Sequence, residues 1–343
     1  MTYALSNLLL LPFEKNMLPP FCYQEARPVL CCNTGHINLD TSQVTIDIIE
    51  HYKYSQAQWQ GYDVNLIQID DLKNSYTHAL YHAPQQKEYA RYLLAHCVSA
   101  LEENGVMVAM AANDAGGKSL EKWFKELGLT PTSLSKNKCR IVYAYKNVVN
   151  QVAIENFISM GQQQDIEIEE NNFITQPGIF GWNKIDRGSA ILAATLPDEV
   201  AGNGADYGCG YGFLTHEILN RPNNIKKIHL IDADYNAVQC ARKNLEKFDI
   251  DLDYHWMDLT KPQDKFINLD WIVMNPPFHQ GKNIENSIGI EFIKRAHMAL
   301  KKRGVLYIVA NAHLPYEKIL KDLFSSGDKI AEMDGFKVYH ARK

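Results

Sequence analysis

Residues 206–212 read Asp-Tyr-Gly-Cys-Gly-Tyr-Gly, and this glycine-rich segment decides the fold. It follows an apolar run at 204–207 and opens a helical stretch at 212–219, which is the setting of a nucleotide-binding glycine loop. Its DxGxGxG spacing differs from the GxGxxG of dinucleotide binders, so pyrophosphate binding is the less natural interpretation. The alternative is a tight strand-to-helix turn that binds nothing.

Apolar strands and helical stretches alternate on both sides of this segment. The predicted strands are 63–69, 77–81, 106–111 and 139–145 in the first half, and 204–207, 227–231, 252–256, 270–274 and 304–310 in the second. Helical stretches lie between them at 85–101, 212–219, 235–248 and 287–301. This pattern predicts an α/β protein with two doubly wound, Rossmann-like domains, 1–150 and 151–343. The pair Asn171-Asn172 predicts a hairpin turn after the junction.

Length and composition set the class of protein. The chain has 343 residues, of which 46% are hydrophobic and 22% charged, as in a soluble globular protein of two domains. The net charge of −5 excludes a protein that coats nucleic acid through bulk electrostatics, so any such contact is local. The apolar run 8–11 is far too short to span a membrane, and we expect no membrane partner.

The cysteines predict a reducing, cytoplasmic location. There are seven, without a CxxC pair, which argues against a disulfide framework. Cys22, Cys31, Cys32 and His36 form a local cluster, but no second ligand pair follows at zinc-finger spacing. We therefore expect no metal.

Two acidic residues follow the strands next to the glycine loop. Asp232 directly follows the strand 227–231, where its carboxylate can accept hydrogen bonds from both hydroxyls of a ribose. Alternatively, Asp232 belongs to a helix N-cap, because Asp234 also offers a capping group before the predicted helix. Asp258 ends the next strand and can accept from an adenine amine, or can be an ordinary loop acid. The spacing of the two acids fits an adenosine ligand.

The segment Asn275-Pro276-Pro277-Phe278 directly follows the apolar strand 270–274. Two prolines remove two backbone donors and stiffen the loop, which leaves the Asn275 side-chain oxygen and the Pro276 carbonyl as fixed acceptors. Together they can hold the two hydrogens of an amine, and Phe278 offers an aromatic face for a planar base or amide. A loop stiffened by proline alone would not explain the order of all the motifs.

In this order and spacing the motifs resemble the class I S-adenosylmethionine-dependent methyltransferases that modify planar exocyclic nitrogens. Within that class the sequence is similar to the guanine-N2 methyltransferases of small-subunit ribosomal RNA, the methyltransferase C family. The similarity covers roughly 173–343, and the first half only faintly. The segments that carry it are 177–180 (PGIF), 275–279 (NPPFH) with Gly281, 309–312 (VANA), 314–316 (LPY) and 336–339 (FKVY).

The resemblance implies two tandem methyltransferase domains, of which the N-terminal one is degenerate and helps to engage RNA. Asp206, Gly208 and Gly210 would hold the methionine part of S-adenosylmethionine, Asp232 its ribose and Asp258 its adenine. The segment 275–278 would hold the target base, and His279 would relay a proton or only structure the loop. Further candidates over the cofactor are Phe180, Asp186, Gly188 and Ser189.

Two features of the first half compete with this interpretation. Residues 112–119 (ANDAGGKS) nearly match a P-loop, with Ala112 in place of the first glycine, but no acid on a neighbouring strand is placed to hold Mg²⁺. A local group of basic residues could contact phosphates, although each alone also suits a solvated surface. Its members are Lys118, Lys122, Lys125, Lys136, Lys138 and Arg140.

The sequence thus predicts a monomeric, cytoplasmic enzyme that methylates a guanine amine in small-subunit ribosomal RNA or in the assembled subunit. Other targets of the same loop remain open: a large-subunit guanine, an adenine amine, or a protein glutamine amide. A non-catalytic RNA chaperone or assembly factor is the alternative from a different class. The acids at 206, 232 and 258 argue against it, because a protein that no longer binds the cofactor has no reason to keep all three.

Overall fold

The computed structural model describes residues 3–19, 28–39, 44–73, 75–168, 171–262, 265–277 and 282–343. The chain divides into two compact units, Met1–Gln162 and Gln163–Lys343, where the sequence analysis placed the junction near residue 150. The helix Gln151–Gly161 accounts for the difference, because it packs within the first unit. A Cβ atom on Gly161 would lie 2.3 Å from the Cβ of Tyr92, so only glycine fits this contact.

The first unit is a seven-stranded sheet with helices on both faces. Its strands run in the order β3-β2-β1-β4-β5-β7-β6, parallel except that β7 is antiparallel to both of its neighbours. The strands are β1 (Val29–Cys32), β2 (Ile46–Ile49), β3 (Asn65–Leu66), β4 (Tyr76–His82), β5 (Leu101–Ala112), β6 (Thr132–Lys136) and β7 (Cys139–Tyr145). The helices are α1 (Tyr3–Ser6), α2 (Leu11–Glu14), α3 (Lys53–Gln56), α4 (Lys87–Ala100), α5 (Lys118–Glu126) and α6 (Gln151–Gly161).

The second unit begins with a two-stranded hairpin and continues as a second seven-stranded sheet. The hairpin strands are β8 (Gln164–Ile168) and β9 (Asn171–Thr175). The sheet strands are β10 (Val200–Tyr207), β11 (Asn223–Asp232), β12 (Asp251–Trp256), β13 (Leu269–Met274), β14 (Leu300–Asn311), β15 (Ser326–Met333) and β16 (Phe336–Arg342). The helices are α7 (Arg187–Thr195), α8 (Phe213–Leu219), α9 (Tyr235–Leu245), α10 (Lys282–Ala299) and α11 (Tyr316–Leu323).

Both large sheets have the same strand order. The second is ordered β12-β11-β10-β13-β14-β16-β15, so in each unit the strands run third, second, first, fourth, fifth, seventh and sixth. The prediction of two tandem α/β domains is confirmed. In such sheets the order reverses between the first and fourth strands, and ligands bind outside the carboxyl ends of the strands there. No described helix is long and apolar enough to cross a membrane.

Two local predictions are wrong. Asn171 pairs with Ile168, so the asparagine pair begins β9 instead of forming the turn, and the connecting residues 169 and 170 lie outside the described part of the chain. Burial of Phe173 against Tyr211, at 5.3 Å between ring centroids, sets this register. Of the strand predicted at 63–69, only Asn65–Leu66 pairs with β2, because the chain turns into a short 3-10 helix at Ile69–Asp71.

The strand β13 is buried on both faces, which explains its unbroken apolar sequence. Trp271 and Val273 pack into the core on one side of the sheet, and Ile272 and Met274 into the core on the other. The Trp271 ring lies directly over Gly204 of β10: a Cβ atom there would be 2.0 Å from the indole. The first strand can approach the fourth closely because it has no side chain at that position.

We predict that Gly204→Ala destabilises the second unit by about 1–3 kcal/mol or more, since the indole must move to admit a methyl group. Urea unfolding of the full chain, together with hydrogen exchange of the β10 and β13 amides, measures the loss. Ala201→Val is the control, because Ala201 is exposed on the same strand. Equal stability of Gly204→Ala and the parent would contradict the tight packing.

Candidate functional site

The glycine loop leaves β10 with its backbone facing open space. Gly208 and Gly210 have φ angles of 75° and 54°, in the region that favours glycine. The Gly208 amide donates to the Ile231 carbonyl at 2.8 Å, which anchors the loop to β11. A Cβ atom added at Gly210 would meet no described atom within 4 Å. A ligand can therefore approach the backbone closely at this point.

Asp232 ends β11 and orders the loop beside it. Its carboxylate accepts from the Gly210 amide at Oδ2 and from the Asp234 amide at Oδ1, both at 2.9 Å. A carboxylate has about four acceptor positions, so these two hydrogen bonds leave part of its capacity for a ligand. Burial raises the pKa of this group.

Asp206 is completely buried in β10, and only one of its oxygens is satisfied. Oδ2 accepts from the Thr215 hydroxyl of α8 at 2.8 Å, whereas Oδ1 has no hydrogen-bond partner among the described residues. Burial, with a smaller contribution from the neighbouring charge of Asp232, raises the pKa of Asp206 to about 7. The sequence analysis missed Thr215, because a threonine within an apolar helix carries no distinguishing signal.

Asp234 adds a third buried acid. Its Oδ1 accepts from the Asn236 amide at 2.9 Å and thereby caps α9. Burial, followed by the charge of Asp232, raises the pKa of Asp234 to about 8. None of these three acids forms a salt bridge with a cationic residue in the described ranges. A positively charged ligand would therefore relieve their mutual repulsion.

Asn275 follows β13 with its amide held in one orientation. The nitrogen Nδ2 donates to Oδ2 of Asp186 and to the Ser189 hydroxyl, both at 2.8 Å. An ionised carboxylate can only accept, so the amide nitrogen must face Asp186. The Oδ1 atom is buried and accepts no hydrogen bond from any described residue. The acceptor capacity of the Asn275 amide oxygen is therefore unsatisfied by the described residues.

Asp186 serves two partners at once. The same Oδ2 atom that accepts from Asn275 also accepts from the Ser189 amide at 2.9 Å, which caps the first turn of α7. At Gly188 a Cβ atom would be 3.0 Å from both Asp186 Oδ2 and the Phe336 ring, so a larger residue would press on this contact. The segment before α7 is thus fixed against the end of β13.

A cavity lies beside the glycine loop and Asn275. It is lined by Phe180, Asp186, Ser189, Gly208, Gly210 and Asn275, among others, whereas Asp206, Asp232 and Asp234 are not among its lining residues. Phe180 lines this cavity and is 49% exposed.

The structure thus brings most of the predicted site residues to the carboxyl ends of the neighbouring strands β11, β10 and β13. Asp258 lies two residues beyond β12, and its Oδ1 accepts from the Thr260 amide and hydroxyl at 2.9 and 2.6 Å. Asp258 does not line the cavity around Asn275. Pro276 is buried and Pro277 exposed, while Phe278 and His279 lie outside the described residues.

The first unit contains the same loop geometry with the space above it filled. The Asn33 amide donates to Ile49 O at 2.8 Å, and the Gly35 amide donates to the Glu50 carboxylate at 2.6 Å, as Gly208 and Gly210 do in the second unit. Here, however, a Cβ atom on Gly35 would lie 2.5 Å from the side-chain oxygen of Gln58. Cys31 occupies the strand position that corresponds to Asp206. The first unit has kept the turn but lost the open space and one acid.

The P-loop-like segment has a structural explanation. A Cβ atom on Gly117 would lie 2.8 Å from the Ala111 carbonyl, so glycine is needed where the turn folds back on β5. The Asn113 amide donates to Lys138 O at 2.9 Å, and Arg140 pairs with Glu121 at 2.9 Å. The other basic residues of the predicted group, at 118, 122, 125, 136 and 138, are exposed.

The cysteine cluster is divided between the two faces of the first sheet. Cys31 packs into one core and Cys32 into the other, so the two thiols cannot reach a common ion. Cys22 lies outside the described residues.

Comparison with known proteins agrees with this architecture. The chain matches the family model for the methyltransferase small domain over residues 170–340, and that for the methyltransferase small domain N-terminal over 33–160. It is 29% identical to the ribosomal RNA small subunit methyltransferase C of Photorhabdus laumondii, over 77% of this chain and 76% of that one. It is 25% identical to the protein of the same name from Shewanella sediminis, over 98% and 94%.

A solved structure extends the comparison to the whole chain. The T. thermophilus 16S rRNA N2 G1207 methyltransferase (RsmC), in complex with AdoMet and guanosine, superposes with a TM-score of 0.80 at 21% identity. The superposition covers 98% of this chain and 91% of that one. Fold and site place the second unit among the class I methyltransferases. The chain belongs to the methyltransferase small domain family, with the N-terminal domain of that family in front of it.

Asp206 makes a testable contribution to stability. Its pKa is raised from 3.8 to about 7 by burial, so the folded protein binds a proton more tightly than the unfolded chain. Between pH 3.8 and about pH 7 the free energy of unfolding therefore falls as pH rises. We predict that Asp206→Asn, which keeps an acceptor for Thr215, gains about 1–3 kcal/mol relative to the parent between pH 5 and pH 8.

Urea unfolding at the two pH values measures this change. Asp322→Asn, at an exposed position of α11, is the matched control and should leave the difference between pH 5 and pH 8 unchanged. The same pH dependence in Asp206→Asn as in the parent would contradict a buried carboxyl with a raised pKa.

Proposed function

We propose that this protein uses S-adenosylmethionine to methylate the exocyclic N2 amine of a guanine in small-subunit ribosomal RNA. The observation that carries the proposal is the fixed amide of Asn275, whose unpartnered oxygen borders the cavity beside an open glycine loop. Relatives over most of the chain are named for methylation of small-subunit ribosomal RNA, and the T. thermophilus structure holds AdoMet and guanosine together.

The residues around the glycine loop fit the cofactor. S-adenosylmethionine supplies an electrophilic methyl group on a positively charged sulfonium. The unpartnered Oδ1 of Asp206 and the open backbone of Gly208 and Gly210 suit its charged methionine part. The free acceptor positions of Asp232 suit the ribose hydroxyls. We assign Asp258 to the adenine amine.

Asn275 and Pro276 orient the amine that receives the methyl group. The lone pair of a guanine amine is delocalised into the ring, so this nitrogen is a weak nucleophile at neutral pH. Acceptors at Asn275 Oδ1 and the Pro276 carbonyl can take its two hydrogens and favour a pyramidal nitrogen, which turns the lone pair toward the methyl group. No strong base is required, and the proton can leave the cationic product to water.

The base must leave its stack to reach Asn275. Unstacking costs a few kcal/mol, which an aromatic contact can partly offset. We assign that contact to Phe278 and treat Pro277 as part of the rigid loop. We base the preference for a nucleic-acid base over a protein amide on this contact. A requirement for Phe278 would therefore distinguish base methylation from methylation of a protein glutamine.

Asp186 acts as a positioning residue for Asn275. Without an acceptor facing the amide nitrogen, the side chain could rotate by 180° and present a donor to the target amine. Two like donors would then face each other, and the amine would not bind in the reactive orientation. The hydrogen bond at 2.8 Å therefore determines which end of the amide meets the substrate.

The proposal includes the partner and the location. We assign the first unit to RNA engagement, through the phosphate-directed lysines of α5, Lys118, Lys122 and Lys125, whose spacing places them on one side of the helix. Ribosomal subunits are assembled in the cytoplasm, and we place the enzyme there. We propose that it acts as a monomer, with one substrate site in each chain.

Methyl transfer from tritiated S-adenosylmethionine tests the function. The substrates are ribosomal RNA and small subunits from cells that lack this protein, and nucleoside chromatography identifies the product. We expect label in N2-methylguanosine with the parent and loss of at least 100-fold in kcat with Asn275→Ala, whose cofactor affinity should change little. Asp232→Ala should instead weaken cofactor binding.

Other outcomes decide between the alternatives. Label in methyladenine or in a protein amide would mean that the enzyme acts on a different substrate. Label in the large subunit would mean that its target lies in large-subunit ribosomal RNA. Cofactor binding without transfer to any RNA would favour DNA or protein targets. An absence of cofactor binding would favour an assembly factor.

Asp186→Ser tests the positioning role. Serine is also a good N-cap, so α7 should persist while the longer carboxylate that reaches Asn275 is lost. We predict a fall in kcat of about 10–100-fold with cofactor affinity within a few-fold of the parent. Asp186→Asn is the matched control and should retain most of the activity, because its amide oxygen can still accept from both Asn275 and the Ser189 amide. Activity equal to the parent in Asp186→Ser would contradict the role.

A further inference from the structure

A cluster of potential metal ligands lies on the outer part of the second sheet. His229 of β11 is directly opposite Asp253 of β12, and His255 follows two residues later on the same face of β12. The sequence analysis expected no metal and did not single out these three residues, because they lie on two different strands and form no local motif. Only the register of β11 and β12 brings them together.

The three ligand atoms form a nearly equilateral triangle. His229 Nδ1 lies 3.2 Å from His255 Nε2 and 3.4 Å from Asp253 Oδ2, and His255 Nε2 lies 3.3 Å from Asp253 Oδ2. A tetrahedral ion with bonds of about 2.0–2.1 Å has ligands separated by about 3.3 Å along each edge. The three atoms therefore already match one face of a tetrahedral coordination shell.

We propose that His229, Asp253 and His255 bind a divalent transition-metal ion, with Zn²⁺ as the best fit. Two imidazoles and one carboxylate suit this class of ion better than Mg²⁺ or Ca²⁺, which prefer oxygen ligands. Asp253 is 40% exposed, so a water molecule can take the fourth position. The packing of Phe266 against both imidazoles, at 5.1 and 4.9 Å between centroids, holds the rings in place.

Two lysines lie beside this cluster. Lys227 Nζ is 3.5 Å from Asp253 Oδ2, and Lys265 Nζ is 3.1 Å from the other nitrogen of His255, Nδ1. Both are surface side chains that can turn to solvent. On metal binding the His255 proton moves from Nε2 to Nδ1, and the Lys265 ammonium withdraws from it. The lysines are thus competitors for the ligands, and removing one should tighten binding.

The place of the cluster gives the ion a structural role. His229 precedes Asp232 by three residues in β11, and His255 stands in the same relation to Asp258 after β12. The ion would join the edge strand β12 to β11 just below the two acids assigned to the adenosine. We expect it to stabilise the edge of the sheet and leave the reacting groups unchanged.

Isothermal titration of the chelator-treated full-length protein with Zn²⁺ tests the proposal, with a reductant present to keep the cysteines reduced. We expect one ion per chain, an affinity at least tenfold weaker in His229→Ala and in Asp253→Asn, and a several-fold tighter affinity in Lys227→Gln. His313→Ala, at an exposed histidine elsewhere in the unit, should bind like the parent. Co²⁺ should give the visible absorption of a tetrahedral site.

Thermal unfolding distinguishes a loss of metal binding from a loss of folding. His229 and Asp253 are both partly exposed, and the metal-free variants should unfold at the same temperature as the metal-free parent. Zn²⁺ should raise the unfolding temperature of the parent alone. Binding that persists in His229→Ala, no saturable binding in the parent, or no gain in Lys227→Gln would each overturn the proposal.

Discussion

The hydrogen bond from the Gly210 amide to the Asp232 carboxylate ties the first strand of the second unit's large sheet to the next one, at the edge where we propose that the cofactor binds. It depends on the positive φ of Gly210 and on the parallel register of β10 with β11. It leaves the loop backbone open and the carboxylate with acceptor positions to spare. The positions of Asp206 and Asn275 follow from the same sheet: Asp206 lies in β10, and Asn275 directly follows β13, which pairs with β10.

The first unit shows that this bond does not need a ligand. The Gly35 amide and Glu50 repeat it at 2.6 Å under a site that Gln58 fills. The turn is therefore held by the protein itself and is preorganised in the second unit. The two units share the loop and differ in the groups above it, where Gln58 fills the space in the first unit. Two domains with the same fold can therefore differ in whether the space beside the loop is open to a ligand.

Much of the catalytic unit could be predicted because its buried strands are continuous apolar runs that end in polar residues, as Met274 does before Asn275. The edge strands β6 and β15 were not predicted, because they are largely exposed and lack an apolar pattern. The contact of Asp186 with Asn275 joins residues 89 positions apart, and Thr215 reaches Asp206 only through the packing of α8. Such pairings depend on the tertiary structure and leave no local signal.

The three buried acids around the loop, Asp206, Asp232 and Asp234, also bear on turnover. Methyl transfer converts a sulfonium to a neutral thioether, so the bound cofactor loses one positive charge in the reaction. Acids that repel one another in a buried site hold the cation more strongly than its neutral product. At the cofactor site proposed for these acids, the same electrostatics that favour binding of the charged cofactor would favour release of its neutral product.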